Sequence, residues 1–474
     1  MLTWSLLYYV SEWVIRLVML AYVPQKRSAA AARGWLLLIF LLPWPGVILY
    51  TLIGRPFLPR KRMALQARVS QMIREAQARR VMPGREVMPD LPANFTHAVT
   101  LAQNLGDFQI FPGNAIELLD DYDATIDRIV GDIDSAASHV HLLYYIFADD
   151  RTGHRVADAL VRAVARGVSC RVLMDGTGSK VALGRMGAKL RAANVEVVKL
   201  LPVSLLRRFT SARIDLRNHR KIVVVDGKVG YVGSQNIIDA DFKRPLVYEE
   251  VVVRVCGPVV AELQAVFLAD RWVETGEAIG NPSLFPSIEP QGKSMAQVLP
   301  SGPQYAHENN QRFIISLIHA ATRRVVITSP YFIPDDPFIQ AMTTAVLRGV
   351  EVHLVVSSQI DQYLVGLGQR SFYDELLDGG VRIHSYTKRF LHAKHVSIDN
   401  CVALIGSSNM YIRSFALNAE VMLVVYDTQV VEQLRRIQER YFADSKEIEA
   451  ARWRNRPIVY RMLQNTARLA DSLL

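Results

Sequence analysis

Two stretches of this chain carry the same sparse pattern of polar residues, and that repeat limits what the chain can fold into. "NHRKIVVVDGKVGYVGSQN" starts at Asn218 and "LHAKHVSIDNCVALIGSSN" at Leu391. Both read His-x-Lys, then Asp seven residues after the His, then Gly-Ser-x-Asn with the Gly fourteen after the His. A single such string arises by chance in on the order of a few per cent of chains of this size. Twice in register, it marks a duplication. The flanks agree: "HVHLLYYIF", "VSCRVLMD" and "VEVVKLL" are answered by "RRVVITSPYFIP", "RGVEVHLVVSS" and "GVRIHSY". Such β-rich runs, separated by helix-like stretches such as Val156 to Arg166, are the mark of β-α-β units and a largely parallel or mixed sheet. The repeat runs from Ala136 to Pro258 and again from Ala320 to Asp427. It predicts an α/β fold of two similar halves about a pseudo-two-fold axis, residues 93–274 and 307–474, joined by a connector rich in Pro, Gly and Ser over 275–306.

The repeated residues are chemically active ones. On a strand, alternate side chains share a face, so His219 and Lys221 point one way and Arg220 the other, with His392 and Lys394 disposed alike. A His for nucleophilic or proton work beside a Lys able to hold an oxyanion is half of a phosphate-handling site. Ser234 and Asn236, with Ser407 and Asn409, have short polar side chains suited to phosphate oxygens. Asp226 and Asp399 complete each motif, but Asp226-Gly227 is a hairpin signal, and parity keeps each Asp off the face of its His. They are expected to anchor turns. The carboxylate orienting each His must come from elsewhere, and Glu250 and Glu420 hold matching places in the two repeats, with Glu249 a second choice in the first. Tyr145 and Tyr331 follow the first strand of each half as core or rim aromatics. The remaining histidines have no repeated partner and no assigned role. Cys170, Cys256 and Cys401 sit in strand-like contexts without ligand spacing, and read as reduced, buried thiols.

The first 58 residues read differently. Met1 to Val23 is mostly apolar, with Glu12 and Arg16 spaced to pair on a helix, and Trp35 to Gly54 is twenty residues without a charge. That length suits a membrane span, and Pro43 and Pro45 should kink it; two spans and a re-entrant hairpin both satisfy the pattern. The lack of a basic leader and of a small-residue cleavage site argues for a retained anchor. Residues 59–92 form a basic linker. Arg55 to Met82 holds eight Lys/Arg and one acid, with Leu65, Val69, Met72, Ile73 and Ala76 at helical spacing, a pattern that suits anionic headgroups. This flank favours a cytoplasmic main domain, although Lys26, Arg27 and Arg33 pull the other way.

The two His-x-Lys-x4-Asp motifs resemble those of the phospholipase D superfamily. The order of parts, a paired hydrophobic N-terminus ("WVIRLVML…WLLLIFLLPWPGVILYTLIG"), both motifs, then "MYIRSFALNAE", is similar to the bacterial cardiolipin synthases. The resemblance implies that His219, Lys221, Asp226, His392, Lys394 and Asp399 are the catalytic set, meeting at one site. One His would attack a phosphodiester phosphorus while the other protonates the leaving alkoxide and then deprotonates an incoming alcohol. His219 is assigned as nucleophile and His392 as acid/base, the quasi-symmetry leaving the reverse open. Lys221, Lys394, Asn236 and Asn409 would hold the phosphoryl oxygens. The resemblance further implies anionic phospholipid substrates, with phosphatidylglycerol as donor and a second phospholipid's glycerol hydroxyl as acceptor. It implies no metal, no cofactor and no nucleic acid partner, and a multi-pass protein of the bacterial inner membrane. Phe111-Pro112-Gly113-Asn114 resembles a family segment near the substrate, and "PVSLLRRFTSARIDLR" before the first motif offers a membrane-facing lip. A hydrolase would use the same residues with water as acceptor, and a lipid-binding scaffold would have no need of both intact motifs.

Overall fold

The β-rich runs of both repeats assemble into one sheet whose strand order is mirrored about its middle. The computed structural model describes residues 4–27, 29–54, 60–80, 88–202, 216–305 and 307–469. At the seam, Phe111–Leu119 pairs antiparallel with Ser294–Ser301, a strand inside the stretch expected to be connector. Outward from the first lie Val252–Cys256, Val229–Gly233, Lys221–Val225, His139–Tyr144, Ser169–Asp175 and Glu196–Leu200. Outward from the second lie Asn418–Tyr426, Val402–Gly406, His395–Ile398, Arg324–Thr328, Glu351–Ser357 and Arg382–Tyr386, with Ser445–Glu447 added at the edge. Apart from that edge strand, each strand named in one half has its counterpart in the other, which is the pseudo-two-fold arrangement expected from the duplication.

Helices cover the sheet where the sequence punctuates them. Arg151–Ala165 starts at Asp150, whose side chain accepts from the Gly153 N–H, and its Val156, Leu160 and Ala163 are fully buried. A glycine in the left-handed region, Gly167 at φ 89°, then turns the chain into the next strand. Its counterpart Asp336–Leu347 is capped by Asp335 in the same way and followed by Gly349 at φ 86°. Burying one Leu on such a face stabilises the fold by about 1.5–3 kcal/mol. The expected turn anchors are present. Asp226 accepts from the backbone N–H groups of Ala137, Ser138 and His139, and Asp399 from those of Thr322, Arg323 and Arg324. Both Asp residues take φ near +50°, at 53° and 50°.

In the N-terminal segment, Trp4–Gln25 is long and apolar enough to cross a membrane, and Glu12 pairs with Arg16 at 3.4 Å. The second apolar stretch is not one continuous helix. It breaks at Leu42 into Ala29–Leu41 and Pro43–Ile53, because Pro43 offers no N–H to the preceding turn. Each piece spans roughly 15–20 Å at 1.5 Å per residue, too short alone for a hydrocarbon core. The basic linker helix is Arg60–Arg80, but its apolar stripe turns toward the protein: Val69 is buried and, with Met72 and Ile73, lines an apolar hollow against helix Val260–Thr275. Arg62 pairs with Glu274 at 2.6 Å and Arg74 with Asp107. Two parts of the expectation fall on the catalytic body itself. Of the lip before the first motif, Pro202 to Arg217, residues 203–215 lie outside the described residues. Asn114 is fully buried and tied to the backbone of Phe111, Ser294 and Val259, so it clamps the seam and does not line a substrate site.

Candidate active site

Two short parallel bridges between the halves build the site. Arg217–Asn218 pairs with Asn418–Ala419, and Phe390–Leu391 pairs with Tyr248–Glu249. The next N–H continues each bridge: His219 donates to the Ala419 carbonyl and His392 to the Glu249 carbonyl, both at 2.8 Å. Each His is thereby laid beside the Glu that follows its carbonyl partner, Glu420 or Glu250. His219 Nδ1 is 3.0 Å from Glu420 Oε2, and His392 Nδ1 is 2.6 Å from Glu250 Oε1. Both expected carboxylates are present, but the pairs cross, each half supplying the acid for the other's His. Glu249, the second choice, faces Tyr386 at 3.2 Å and Arg389.

The crossing sets the chemistry. A carboxylate on Nδ1 takes that N–H and leaves Nε2 for the chemistry, as a lone pair in the imidazole or an N–H in the imidazolium. The two histidines remain 9% and 7% exposed, enough for an atom of a ligand to reach a ring edge. Burial pulls both histidines below their ordinary pKa, His219 to about 4, against the upward pull of Glu420 and Glu250. Burial also opposes ionisation of Glu420 and Glu250, yet His219 and His392, followed by the lysines, outweigh it and hold both below the usual carboxylate range. The His219–Glu420 pair therefore rests as neutral imidazole against carboxylate.

Lys221 and Lys394 are buried and each bonds back to the carbonyl of its own motif His, Lys221 at 2.5 Å. Burial lowers Lys221 to about 7 and Lys394 to about 8, and each lysine responds to the carboxylates of both halves. Four charges thus share one pocket, two of each sign. A phosphodiester entering it would find ammonium groups whose remaining protons are unspent.

The serines do different work from that expected. Ser407 Oγ donates to Glu420 Oε2 at 2.6 Å and accepts from the Val421 N–H. Ser234 Oγ accepts from the Val251 N–H and also helps hold Glu250 ionised. They position carboxylates. Asn236 Oδ1 accepts the Ile146 N–H at 3.1 Å, while Asn409 Oδ1 is buried without a partner among the described residues. Asp226 and Asp399 stay at the turns described above, bound to backbone, outside the cluster around the histidines. Tyr145 packs on His219 with ring centres 4.9 Å apart, and Tyr331 lies 6.4 Å from His392, so both line the site.

Several functional partners escaped the sequence reading. Ser414 donates to Glu420 Oε1 at 2.8 Å from inside "MYIRSFALNAE". Tyr248 packs on His392 at 5.2 Å, and its hydroxyl and that of Tyr331 converge on Asp361. Asp175 accepts the Asn218 N–H at 2.9 Å, where the second half has Ser357 accepting from Leu391. Arg220 is buried, bonded to Asp270 at 2.5 Å and to the Glu420 carbonyl at 3.0 Å, where the second half has Ala393. A signal for the last existed: a charged residue in an otherwise apolar strand needs a buried partner. The cysteines are free, and burial raises the thiols of Cys170 and Cys401 to about 12 and 11, leaving them inert.

Known proteins are similar to this chain in sequence and in fold. The family described as "Cardiolipin synthase, PLD-like domain" matches residues 129–272 and 314–442, one span for each half. Cardiolipin synthase A of Pectobacterium carotovorum subsp. carotovorum (strain PC1) is 32% identical across 94% of this chain and 93% of its own. Cardiolipin synthase A of Yersinia pseudotuberculosis serotype I (strain IP32953) matches at 32% over the same shares. Among solved structures, the phosphatidylserine synthase of Haemophilus influenzae Rd KW20 superposes with a TM-score of 0.62 at 15% identity, covering 79% of this chain and 99% of that one, a likeness of fold. With both motif-bearing halves matched and near full-length relatives alike in sequence, the chain belongs to the cardiolipin synthase family of phospholipase D-like proteins.

Proposed function

We propose that this protein is a phosphatidyltransferase that makes cardiolipin, moving the phosphatidyl group of one phosphatidylglycerol to the glycerol hydroxyl of a second phospholipid and releasing glycerol. The observation that carries this reading is the crossed His–Glu pair: two imidazoles, each oriented by a carboxylate of the opposite half, with two buried lysines that feel both carboxylates. His219 Nε2 attacks phosphorus, forming a P–N bond as the P–O bond to glycerol breaks, and His392 gives the departing alkoxide its proton. His392 then takes the proton of the incoming hydroxyl, whose oxygen displaces His219 and restores a phosphodiester. Lys221 and Lys394, with Asn236 and Asn409, hold the non-bridging oxygens as charge gathers on them. The role assignment rests on the shorter pairing of His392 with Glu250, which favours the cationic form an acid needs, and on the deeply depressed His219, which stays neutral as a nucleophile must.

Both substrates reside in a bilayer, which gives the apolar helix Trp4–Tyr22 and the broken segment after it a purpose. We read residues 1–58 as a multi-pass anchor in the inner membrane, 59–92 as its basic linker, and the two halves beyond as a cytoplasmic catalytic body. The test is purified full-length protein in mixed micelles with phosphatidylglycerol, products read by mass spectrometry. Cardiolipin with an equivalent of glycerol is expected, and neither with His219→Ala or His392→Ala. Phosphatidic acid with glycerol would mean that water is the acceptor and would overturn the transferase reading.

A further inference from the structure

The helix Ile458–Arg468 is held to the protein by its polar face. Its buried residues are Gln464 and Ala467. Arg456, just before it, reaches Asp374 at 2.6 Å and Gln464 at 2.9 Å, and Arg468 reaches Glu375 at 3.1 Å and covers the Phe372 ring. Ile458, Val459, Tyr460, Met462 and Leu463 point outward, all exposed. A surface helix ordinarily buries its apolar stripe and shows its charges to water. This one is inverted, and a contiguous apolar surface of that kind marks a contact.

Its surroundings say what it contacts. The helix packs on Tyr363–Ser371, whose Tyr363 and Leu364 are also exposed. That second helix begins just after Asp361, which holds the hydroxyls of Tyr331 and Tyr248, the two rings packed on His392. The apolar surface therefore runs to the rim of the active site. The duplication repeats the feature on the other side: exposed Val181 lies six residues past the end of Ser169–Asp175, as Tyr363 lies six past Glu351–Ser357. Exposed Phe242 packs on Tyr248 beside solvent-facing Lys243 and Arg244. Of the five Arg in 450–468, Arg454, Arg456 and Arg468 pair with Asp378, Asp374 and Glu375, and Arg452 and Arg461 have no ion pair among the described residues. Apolar side chains facing out with cations at their margin match an anionic bilayer surface.

We propose that the outward face of Ile458–Arg468, continued by Tyr363 and Leu364, is a membrane-docking surface that seats the mouth of the active site on the bilayer, separately from the N-terminal helix. Its purpose rests on the phosphatidyl-transfer reading; its physics does not. The test uses full-length protein in vesicles of phosphatidylglycerol and phosphatidylethanolamine, labelled at Met462→Cys with an environment-sensitive fluorophore and quenched by lipids spin-labelled on the acyl chain. The control is Leu347→Cys, whose parent side chain is 87% exposed and ends a helix that feeds the start of Glu351–Ser357, the sheet end away from the site. Quenching at 462 and none at 347 is expected. Equal signals at the two positions, or a 462–462 cross-link between copies, would overturn the proposal. In a second arm, Val459→Glu combined with Met462→Glu should lower transfer on vesicles roughly tenfold while leaving soluble short-chain phosphatidylglycerol turned over at near the parent rate. Equal loss on both substrates would also overturn it. Should the parent protein turn over neither lipid, the transfer reading fails, and the quenching arm still decides the docking.

Discussion

Glu420→Gln and Glu250→Gln test the crossed pairing, because each removes a charge from one His and leaves the other untouched. Glu420 is fully buried and accepts from His219, Ser407 and Ser414, so Gln keeps the shape while replacing the anion that faces Nδ1. A hydrogen bond to a charged group contributes about 1.5–3 kcal/mol, which corresponds to roughly a tenfold to hundredfold loss in rate for each variant. Rate alone would not tell which His was affected. A phosphatidyl ester of p-nitrophenol does, since that leaving group departs without a proton and needs only the nucleophile. With it, Glu250→Gln and His392→Ala should retain the burst of p-nitrophenol, while Glu420→Gln and His219→Ala lose it. The grouping is the test. If Glu420→Gln behaved like the His392 variant, and Glu250→Gln like the His219 variant, each carboxylate would serve its own half and the crossed geometry would be wrong.

Other expectations follow from the same contacts. Lys221 and Lys394 must be protonated to neutralise a phosphodiester, and burial places them at about 7 and 8, below an ordinary lysine at 10.5. Their protonated forms are lost as pH rises, so kcat/KM should fall between about pH 7 and 8; a basic limb near 10.5 would contradict this. Asp226→Ala should lower stability by about 2–4 kcal/mol in chemical denaturation, because its carboxylate holds three backbone N–H groups, with turnover at low temperature retained. Loss of turnover in a folded Asp226→Ala protein would return that Asp to the chemistry. Incubation with EDTA should leave the rate unchanged, since the lysines supply the positive charge; activity lost and then restored by a divalent ion would count against that role.

The duplication made the two halves and their paired histidines legible, because residue type and spacing survive in both copies. The crossing was not legible. Parity along a strand says which side chains share a face, but His219 meets Glu420 through a bridge between Asn218 and Ala419, residues far apart in sequence. The contacts of Ser234 with Val251 and of Ser407 with Glu420 lie within one half, and spacing alone does not show them either. Pro43 announced the break in the second apolar stretch correctly, through its missing N–H. The stripe on Arg60–Arg80 was visible as a pattern, yet a pattern does not say whether its apolar side meets lipid or protein; Val69 meets protein. The inverted helix at Ile458–Arg468 went unseen because its amphipathic spacing looks the same whichever face is buried.

The most direct test of the account is to trap the intermediate. The phosphatidyl ester of p-nitrophenol, labelled in its phosphate so that its leaving group bypasses the missing acid, is mixed with the His392→Ala variant, then quenched in alkali, digested and sequenced by mass spectrometry. The account predicts a phosphatidyl adduct on the peptide carrying His219. An adduct elsewhere, or a burst of p-nitrophenol with no adduct at all, would contradict it.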